Sequence, residues 1–494
     1  MAIPHVAAIR SNNSAVLARF PPFFQQLAIV IAATAPFAAA HAEDADIAHI
    51  EHNLRPPVAI EGRPVPANTL AESMRRLHVP GVSVAVIRDG KVAWARGYGV
   101  AYAGGPAVTP DTLFQAASIS KPVTALAALR MAETGELSLD ADINAAMTNW
   151  KLPPGPSGAT ASLRQLLSHT AGTTAHGFAG YAHGAAVPTL LQVLDGVKPA
   201  NSEPVRIDIA PGSIERYSGG GYLLVQQALV DRSGKPFAEL LASSVLTPLG
   251  MDNSTFVQPL PTALAARAAQ PHDAKGAPYA GGAYTYPEQA AAGLWTTPSD
   301  LARFAIGVQR SVAGQGILSP EMARTMLQPV KGEHGLGPEV EGEGASRAFG
   351  HGGVNTGFQN SLYAFTEHGD GAVVMTNGDN GFELARGLMR AIAAEYGWPA
   401  NQTVMRTAQA LPAAQRKALE GRYRIVGAGD FEIRQQKGQL MFSAHGAAFE
   451  PLYAASPTVL FVLSRELELH LTRAGRPRGR LVSGAFDQPY KRVK

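Results

Sequence analysis

Two short runs, Val82-Ser83-Val84-Ala85-Val86-Ile87-Arg88 and Lys91-Val92-Ala93-Trp94-Ala95-Arg96-Gly97, are dense in apolar and β-branched residues and are separated only by Asp89-Gly90. That dipeptide accepts the positive φ angles of a two-residue turn, so the pattern predicts an antiparallel hairpin. Residues 67–77, ahead of it, have helical spacing. After the hairpin, Thr109-Pro110-Asp111-Thr112 turns the chain into an Ala/Leu-rich stretch, predicted helical from near Ser118 to a C-terminal cap at Gly135.

Between residues 137 and 271 the apolar spacing stays mostly helical, as in 162–168, 221–230 and 237–245. Strand signals are few there, so the pattern predicts a helical insert between two halves of a sheet. Residues 291–304 predict a turn and then a helix with Ser299 or Asp300 near its N-terminus. Residues 361–365 and 371–376 are strand-like and 382–396 form a long amphipathic helix, which would complete the sheet that the hairpin begins. Beyond Trp398-Pro399 the period changes. Tyr423-Arg424-Ile425, Phe431-Glu432-Ile433-Arg434, Leu440-Met441-Phe442 and Leu460-Phe461-Val462-Leu463 recur at regular spacing with turns such as Lys437-Gly438, an all-β pattern.

Length and composition agree with two folded regions: 494 residues, 46% hydrophobic and 16% charged, exceed one compact domain and can bury a substantial core. The net charge of +3 is small, and the densest basic group, Arg473, Arg476, Arg478 and Arg480, is assigned to solvated turns. No nucleic-acid partner is therefore expected. The chain has no cysteine, which removes disulfides, thiolate nucleophiles and Cys-based metal sites. Arg10 and Arg19 precede an apolar run over residues 27–40 that closes with Ala40-His41-Ala42 ahead of Glu43-Asp44, the layout of a secretory signal. Broken by Pro36 and shorter than the roughly 20 residues of a membrane span, the run predicts export with no stable span after cleavage. Residues 43–66 are expected to be an exposed lead-in.

The chemistry concentrates at Phe114-Gln115-Ala116-Ala117-Ser118-Ile119-Ser120-Lys121-Pro122. Residues i and i+3 share a helix face, so Lys121 can hold its amine beside the Ser118 hydroxyl and take or relay its proton. Pro122 is tolerated only in a first helical turn, which places the helix start, with its unpaired N–H groups and positive dipole end, at Ser118. A Ser-x-x-Lys spacing arises by chance roughly once in a chain this long, so it needs partners. Elsewhere, His169 in Leu166-Leu167-Ser168-His169-Thr170-Ala171-Gly172 is assigned a structural role as a hydrogen-bonded helix end. His176 and His183 lie in a Gly-rich loop without carboxylates to complete a metal set. Elbow, zinc-protease, phosphate-loop and dinucleotide motifs are missing.

Two further motifs follow in order, Arg216-Tyr217-Ser218-Gly219 and Gly350-His351-Gly352-Gly353. With them the chain, over roughly residues 70–396, resembles the serine hydrolases built like class C β-lactamases, penicillin-binding DD-peptidases and their esterase and D-aminopeptidase relatives. The resemblance implies an α/β (α+β) fold: a β-lactamase/transpeptidase-like antiparallel sheet flanked by helices, a helical subdomain, and a small C-terminal lipocalin-like barrel. It divides the chain into a signal peptide (1–42), the lead-in (43–66), a hydrolase domain (67–400) and a barrel domain (415–494).

The resemblance also implies roles. Ser118, Lys121, Tyr217 and His351 would be catalytic, with Lys121 and Tyr217 sharing the base and acid work and the first base left open. A tyrosine, of ordinary pKa about 10, acts as a base only if nearby cations stabilise its phenolate, and Lys121 and His351 are candidates. The backbone N–H groups of Ser118 and Val354 would form the oxyanion hole, with Gly352, Gly353 and Gly219 at the substrate. Tyr284, Tyr286 and Trp295 could shape the pocket wall. The chain departs from the β-lactamase pattern at Gly219, where those enzymes carry Asn. Losing that amide, worth on the order of 1–3 kcal/mol to a buried partner, shifts weight from β-lactams toward esters and other amides.

The expected function is that of a secreted, periplasmic serine hydrolase acting through a Ser118 acyl-enzyme on a small-molecule or peptide ester or amide. No metal or cofactor is expected. Alternatives are a β-lactam-binding DD-peptidase or class C β-lactamase, and a non-catalytic binding protein on the same scaffold.

Overall fold

A computed structural model describes residues 44–484 and 486–493, and the expected signal segment, residues 1–42, lies outside the described residues. Residues 44–49 are helical and belong to one unit, Met1–His49; all that follows concerns the other, Ile50–Lys494.

Helix α1 (Leu70–Leu77) starts three residues later than the spacing predicts, because a capping box sets its end. The Glu72 N–H donates to Thr69 Oγ1 at 3.1 Å and the Thr69 N–H to Glu72 Oε2 at 3.0 Å. The hairpin follows as β1 (Gly81–Arg88) and β2 (Lys91–Gly99), with Asp89 and Gly90 at φ +51° and +68°. Next come α2 (Ser120–Glu133), then an insert containing α3 (Gly219–Ser233) and α4 (Gln289–Ala292), then α5 (Pro298–Val312). Neither Ser299 nor Asp300 caps α5. Thr297 does, its side chain accepting the Asp300 N–H at 3.2 Å, while the Asp300 carboxylate accepts from Ser254 Oγ and the Asn253 N–H.

The chain then returns through β3 (Glu339–Glu341), β4 (Ala348–Asn355), β5 (Phe358–Phe365), β6 (Gly371–Thr376) and α6 (Gly381–Glu395). The six strands form one antiparallel sheet in the order β2-β1-β6-β5-β4-β3. Strands β1 and β6 are buried along nearly their whole length: α5 packs on both, and α6, with α1 against it, packs on β5 and β6. The β3 strand covers only Ala348, Phe349 and Gly350 of β4, so from His351 onward β4 is an edge.

The lead-in is not simply exposed. Val58–Ile60 forms a buried strand that pairs in parallel with Val404–Arg406, and Val58 and Ile60 pack on Phe461 of the C-terminal region. Strands Gly421–Ile425, Gly429–Gln436, Gln439–Ala444, Glu450–Ala454, Val459–Phe461, Glu468–Leu471, Arg478–Ser483 and Phe486–Arg492 pair in chain order, and the last returns to the first. This is a closed eight-stranded antiparallel barrel: the alternation predicts its all-β character, and the barrel is what the family resemblance implies. Tyr423, Phe431, Phe442 and Tyr490 fill it, with Tyr423 and Phe431 stacked at 4.8 Å. Arg478 and Arg480 stand on a strand rather than in a turn, Arg480 paired with Asp487 at 2.7 Å. Among the described residues no helix is long and apolar enough to cross a membrane.

Candidate active site

Ser118 lies on a short 3-10 turn, Ala117–Ile119, that runs directly into α2, with Pro122 in the first turn of that helix. Ala117 has φ +53°, a left-handed conformation that costs an L-residue about 1–2 kcal/mol. The surroundings hold it there: the Ala116 N–H donates to the Leu294 carbonyl at 2.8 Å, and β4 presses on the turn from the other side. Such a turn lifts the serine side chain out of the helix axis and into the cleft.

The N-terminal half of α2 is buried on every side, so Lys121, 2% exposed, extends through protein rather than into water. Its Nζ donates to Ser118 Oγ and to the Ala291 carbonyl, each at 2.9 Å, and stands 4.9 Å from the centre of the Tyr217 ring. Burial lowers its pKa to about 7, so a substantial fraction is neutral amine near neutral pH.

Tyr217 sits just ahead of α3, on a stretch fixed from both ends. The Arg216 guanidinium binds Asp208 and the Gly172 carbonyl, and Ser218 caps α3 by accepting the Gly221 N–H at 3.1 Å. The Tyr217 hydroxyl is hydrogen-bonded to Ser118, yet burial outweighs that contact and pushes its pKa well above the ordinary tyrosine value. His169 fills the structural role assigned to it: it follows the helix Leu163–Leu167 at φ +58°, and its Nδ1 accepts the Ser218 N–H at 3.1 Å. Its ring also lies against that of Tyr217, centroids 4.3 Å apart.

His351 projects from β4, 4% exposed, with Nδ1 donating to the Gly352 carbonyl and Nε2 without a partner. Burial, reinforced by Lys121, lowers its pKa to about 3. The imidazole is therefore neutral, and the expectation that His351 supplies a cation to stabilise a Tyr217 phenolate is not met. Withdrawal from water, which disfavours charge on both rings, is the reason.

A cavity of about 370 Å³ joins these groups, lined by Ser118, Lys121, Tyr217, Gly219, His351, Gly352 and Val354. The structure does not place Tyr284, Tyr286 or Trp295 on its wall. Tyr286 and Trp295 are core residues, the Trp295 ring packed on Phe358, and Tyr284 packs against Tyr279 while its carbonyl accepts from Gln115 Nε2 at 2.6 Å. The aromatic wall is instead Phe178 and Phe382, with Ala291 and Ala292. A Cβ on Gly219 would stand 2.8 Å from Phe178 Cε2, so Phe178 occupies the room that a side chain at 219 would need. A Cβ on Gly352 would meet the Phe382 ring tip at 2.9 Å.

Sequence reasoning missed Phe178, Phe382, Asn355, His334 and Glu339. Asn355 Nδ2 donates to Gln115 Oε1 at 2.9 Å and to the Ala292 carbonyl at 3.2 Å, tying β4 to the segment before Ser118. The only available signal for Asn355 was its place two residues past the Gly350-His351-Gly352-Gly353 motif; Phe178, His334 and Glu339 lie in stretches with no periodic pattern.

The family model described as Beta-lactamase matches residues 67–396. Penicillin-binding protein 4 of Amycolatopsis lactamdurans is 27% identical over 64% of this chain and 86% of its own length. Esterase EstB of Burkholderia gladioli is 33% identical over 38% of this chain, and the match spans only half of the esterase. Among solved structures, the octameric penicillin-binding protein homologue from Pyrococcus abyssi superposes with a TM-score of 0.58 at 22% identity, covering 85% of this chain and 98% of that one. The D-amino acid amidase from Ochrobactrum anthropi SV3 does so with a TM-score of 0.53 at 22% identity, over 66% and 99%. These two likenesses concern the fold.

Proposed function

From the premise that the chain belongs to the Beta-lactamase family of serine hydrolases, we propose that it is an exported enzyme that cleaves carboxylic esters and amides of compact, apolar acyl groups through an acyl-enzyme on Ser118. The observation that carries this reading is the 2.9 Å contact between Ser118 Oγ and a Lys121 amine that burial holds near pKa 7. A serine hydroxyl needs a base within reach, and a neutral amine supplies one without any phenolate.

In this mechanism Lys121 takes the Ser118 proton as Oγ attacks the substrate carbonyl carbon. The carbonyl electron pair moves onto oxygen, and the oxyanion is received by the backbone N–H groups of Ser118 and Val354. When the tetrahedral intermediate collapses, the leaving group takes a proton from the Tyr217 hydroxyl, and the Lys121 ammonium replaces it. The raised phenol pKa keeps Tyr217 protonated, so that it has a proton to give. Water then attacks the acyl-enzyme with the same groups acting in reverse, releasing the acid and restoring Ser118. His351, neutral, contributes shape and a hydrogen-bonding edge rather than charge.

The cavity wall of Phe178, Phe382, Ala291, Ala292 and Val354 favours an apolar acyl group. Esterase and D-aminopeptidase names among the relatives are consistent with this class. With Phe178 in place of an amide side chain at 219, β-lactam turnover should be weak. The penicillin-binding relative, matched along most of its length, keeps a second reading open in which penicillin acylates Ser118.

A fluorophosphonate probe tests the core reading: the wild-type chain should label and Ser118→Ala should not, and an unlabelled wild type would overturn it. Intact mass with benzylpenicillin separates the two substrate readings by the presence or absence of a Ser118-dependent adduct. Export rests on the pattern over residues 27–42, and N-terminal sequencing of the secreted protein should begin at Glu43.

A further inference from the structure

Three side chains that no motif links meet at one wall of the cleft: His334, Glu339 on β3 and His351 on β4. One ligating atom from each lies within 4.8 Å of the other two. In both imidazoles Nδ1 is already engaged, that of His334 donating to Glu215 Oε1 at 2.6 Å and that of His351 to the Gly352 carbonyl. Each Nε2 is therefore left with its lone pair, buried and without a hydrogen-bond partner. Buried polar atoms of this kind are costly unless something fills them, and here two converge. The Glu339 carboxylate, half exposed, stands 3.8 Å from His334 Nε2 and lines the same cavity as Ser118.

We propose that His334, Glu339 and His351 form a binding site for one divalent cation of the zinc type, with its fourth coordination position open to the active-site cavity. Two imidazole nitrogens and one carboxylate are the donor set that favours zinc-like over calcium- or magnesium-like ions. Glu215 completes the arrangement that orients metal-bound histidines elsewhere, a carboxylate accepting from the non-ligating ring nitrogen. His169 is not a ligand, although its ring lies 4.8 Å from that of His334, because its Nδ1 accepts the Ser218 N–H and its Nε2 carries the proton.

A tetrahedral zinc with bonds of about 2.0–2.1 Å needs ligand atoms roughly 3.3 Å apart, so the three must close in by on the order of 1 Å. Glu339 can supply that movement, being exposed at the end of the sheet. Bound here, the ion would lie beside Tyr217, whose ring centroid is 5.9 Å from His334 and 6.1 Å from His351. Added positive charge would disfavour the Lys121 ammonium and so couple metal occupancy to acylation. That coupling rests on the proposed hydrolysis, whereas binding itself does not.

The test uses the full chain carrying Ser118→Ala, stripped with chelator and titrated with Co²⁺, then with Zn²⁺ against a chromophoric indicator. We expect one equivalent of Co²⁺ with the visible absorption of a four-coordinate site, displaced by Zn²⁺. His334→Gln and Glu339→Gln should each weaken Zn²⁺ by at least about tenfold and Glu215→Gln by about tenfold, while His176→Gln should change nothing. Thermal unfolding of the apo variants checks that each is folded, and Glu339→Gln, at an exposed position, is the safeguard. Absence of saturable binding below about 100 μM, or unchanged affinity in folded Glu339→Gln and His334→Gln, would overturn the proposal. Because Ser118 is absent throughout, neither result depends on whether the chain is a hydrolase.

Discussion

A Cβ placed on Gly353 would stand 2.2 Å from the Ala116 carbonyl oxygen, so β4 and the turn that carries Ser118 touch backbone to backbone. Neither partner can yield without moving Ser118, since Ala116 is also held by Leu294 and precedes the left-handed Ala117. Gly353→Ala should therefore lower the rate of Ser118 labelling at least tenfold and cost about 1–3 kcal/mol of stability. Gly352→Ala should be milder, because it meets only the tip of the Phe382 ring, which can turn. Labelling kinetics and thermal unfolding of both variants check the order.

The Lys121 amine, lowered to about 7, sets a pH profile. The reactive form is neutral, so Ser118 acylation should rise with pH and level off above about 7. Lys121→Ala should lose about 10²- to 10⁴-fold, and Lys121→Arg, permanently charged, should not recover it. The same shift acts on stability with a definite sign. The unfolded chain binds this proton more readily than the folded one, so the cost is full below about 7 and fades as pH rises toward the ordinary lysine value. Lys121→Met should raise the melting temperature more at pH 6 than at pH 10.

Phe178 and Gly219 form a second testable pair. Gly219→Asn alone should not create penicillin turnover, because its side chain would meet Phe178, whose Cε2 stands 2.8 Å from where the new Cβ would lie. Adding Phe178→Ala opens the room, and the double variant should hydrolyse benzylpenicillin faster than either single one. A double variant no better than wild type would show that the amide is not what limits β-lactam turnover.

Glu288 is fully buried, and both of its carboxylate oxygens lack partners. Burial raises its pKa to about 7. Here the folded state holds the proton that the unfolded state releases, so stability falls as pH rises from the ordinary carboxylate range to about 7 and stays reduced above it. Glu288→Gln, which carries no charge, should flatten that fall, a gain on the order of 3 kcal/mol at pH 8 in thermal or urea unfolding.

What was legible without coordinates depended on short-range signals. The Asp89-Gly90 turn, the start of α2 near Ser118 and its end at Gly135 follow from residues within a few positions of one another, as do the alternating barrel strands. The Ser118–Lys121 contact belongs to this class, since helix geometry alone brings i and i+3 together. The strand at Val58–Ile60 was not legible, because its partner at Val404–Arg406 lies at the far end of the hydrolase region. The cavity wall was misread for a related reason: aromatic identity does not tell whether a ring faces a cleft or a core, and Trp295 faces the core.

By itself the sequence placed Ser118 and Lys121 on one helix face and set the order of the motifs around them, because local backbone preference and side-chain period are written in neighbouring residues; the fold class followed from the family resemblance that those motifs carry. Only the tertiary structure decided the charges in the site, with Lys121 near 7 and His351 neutral, because a pKa depends on how much water the whole fold removes. It alone brought His334, Glu339 and His351 to one point, on a β3–β4 pairing and a loop that no periodicity announces.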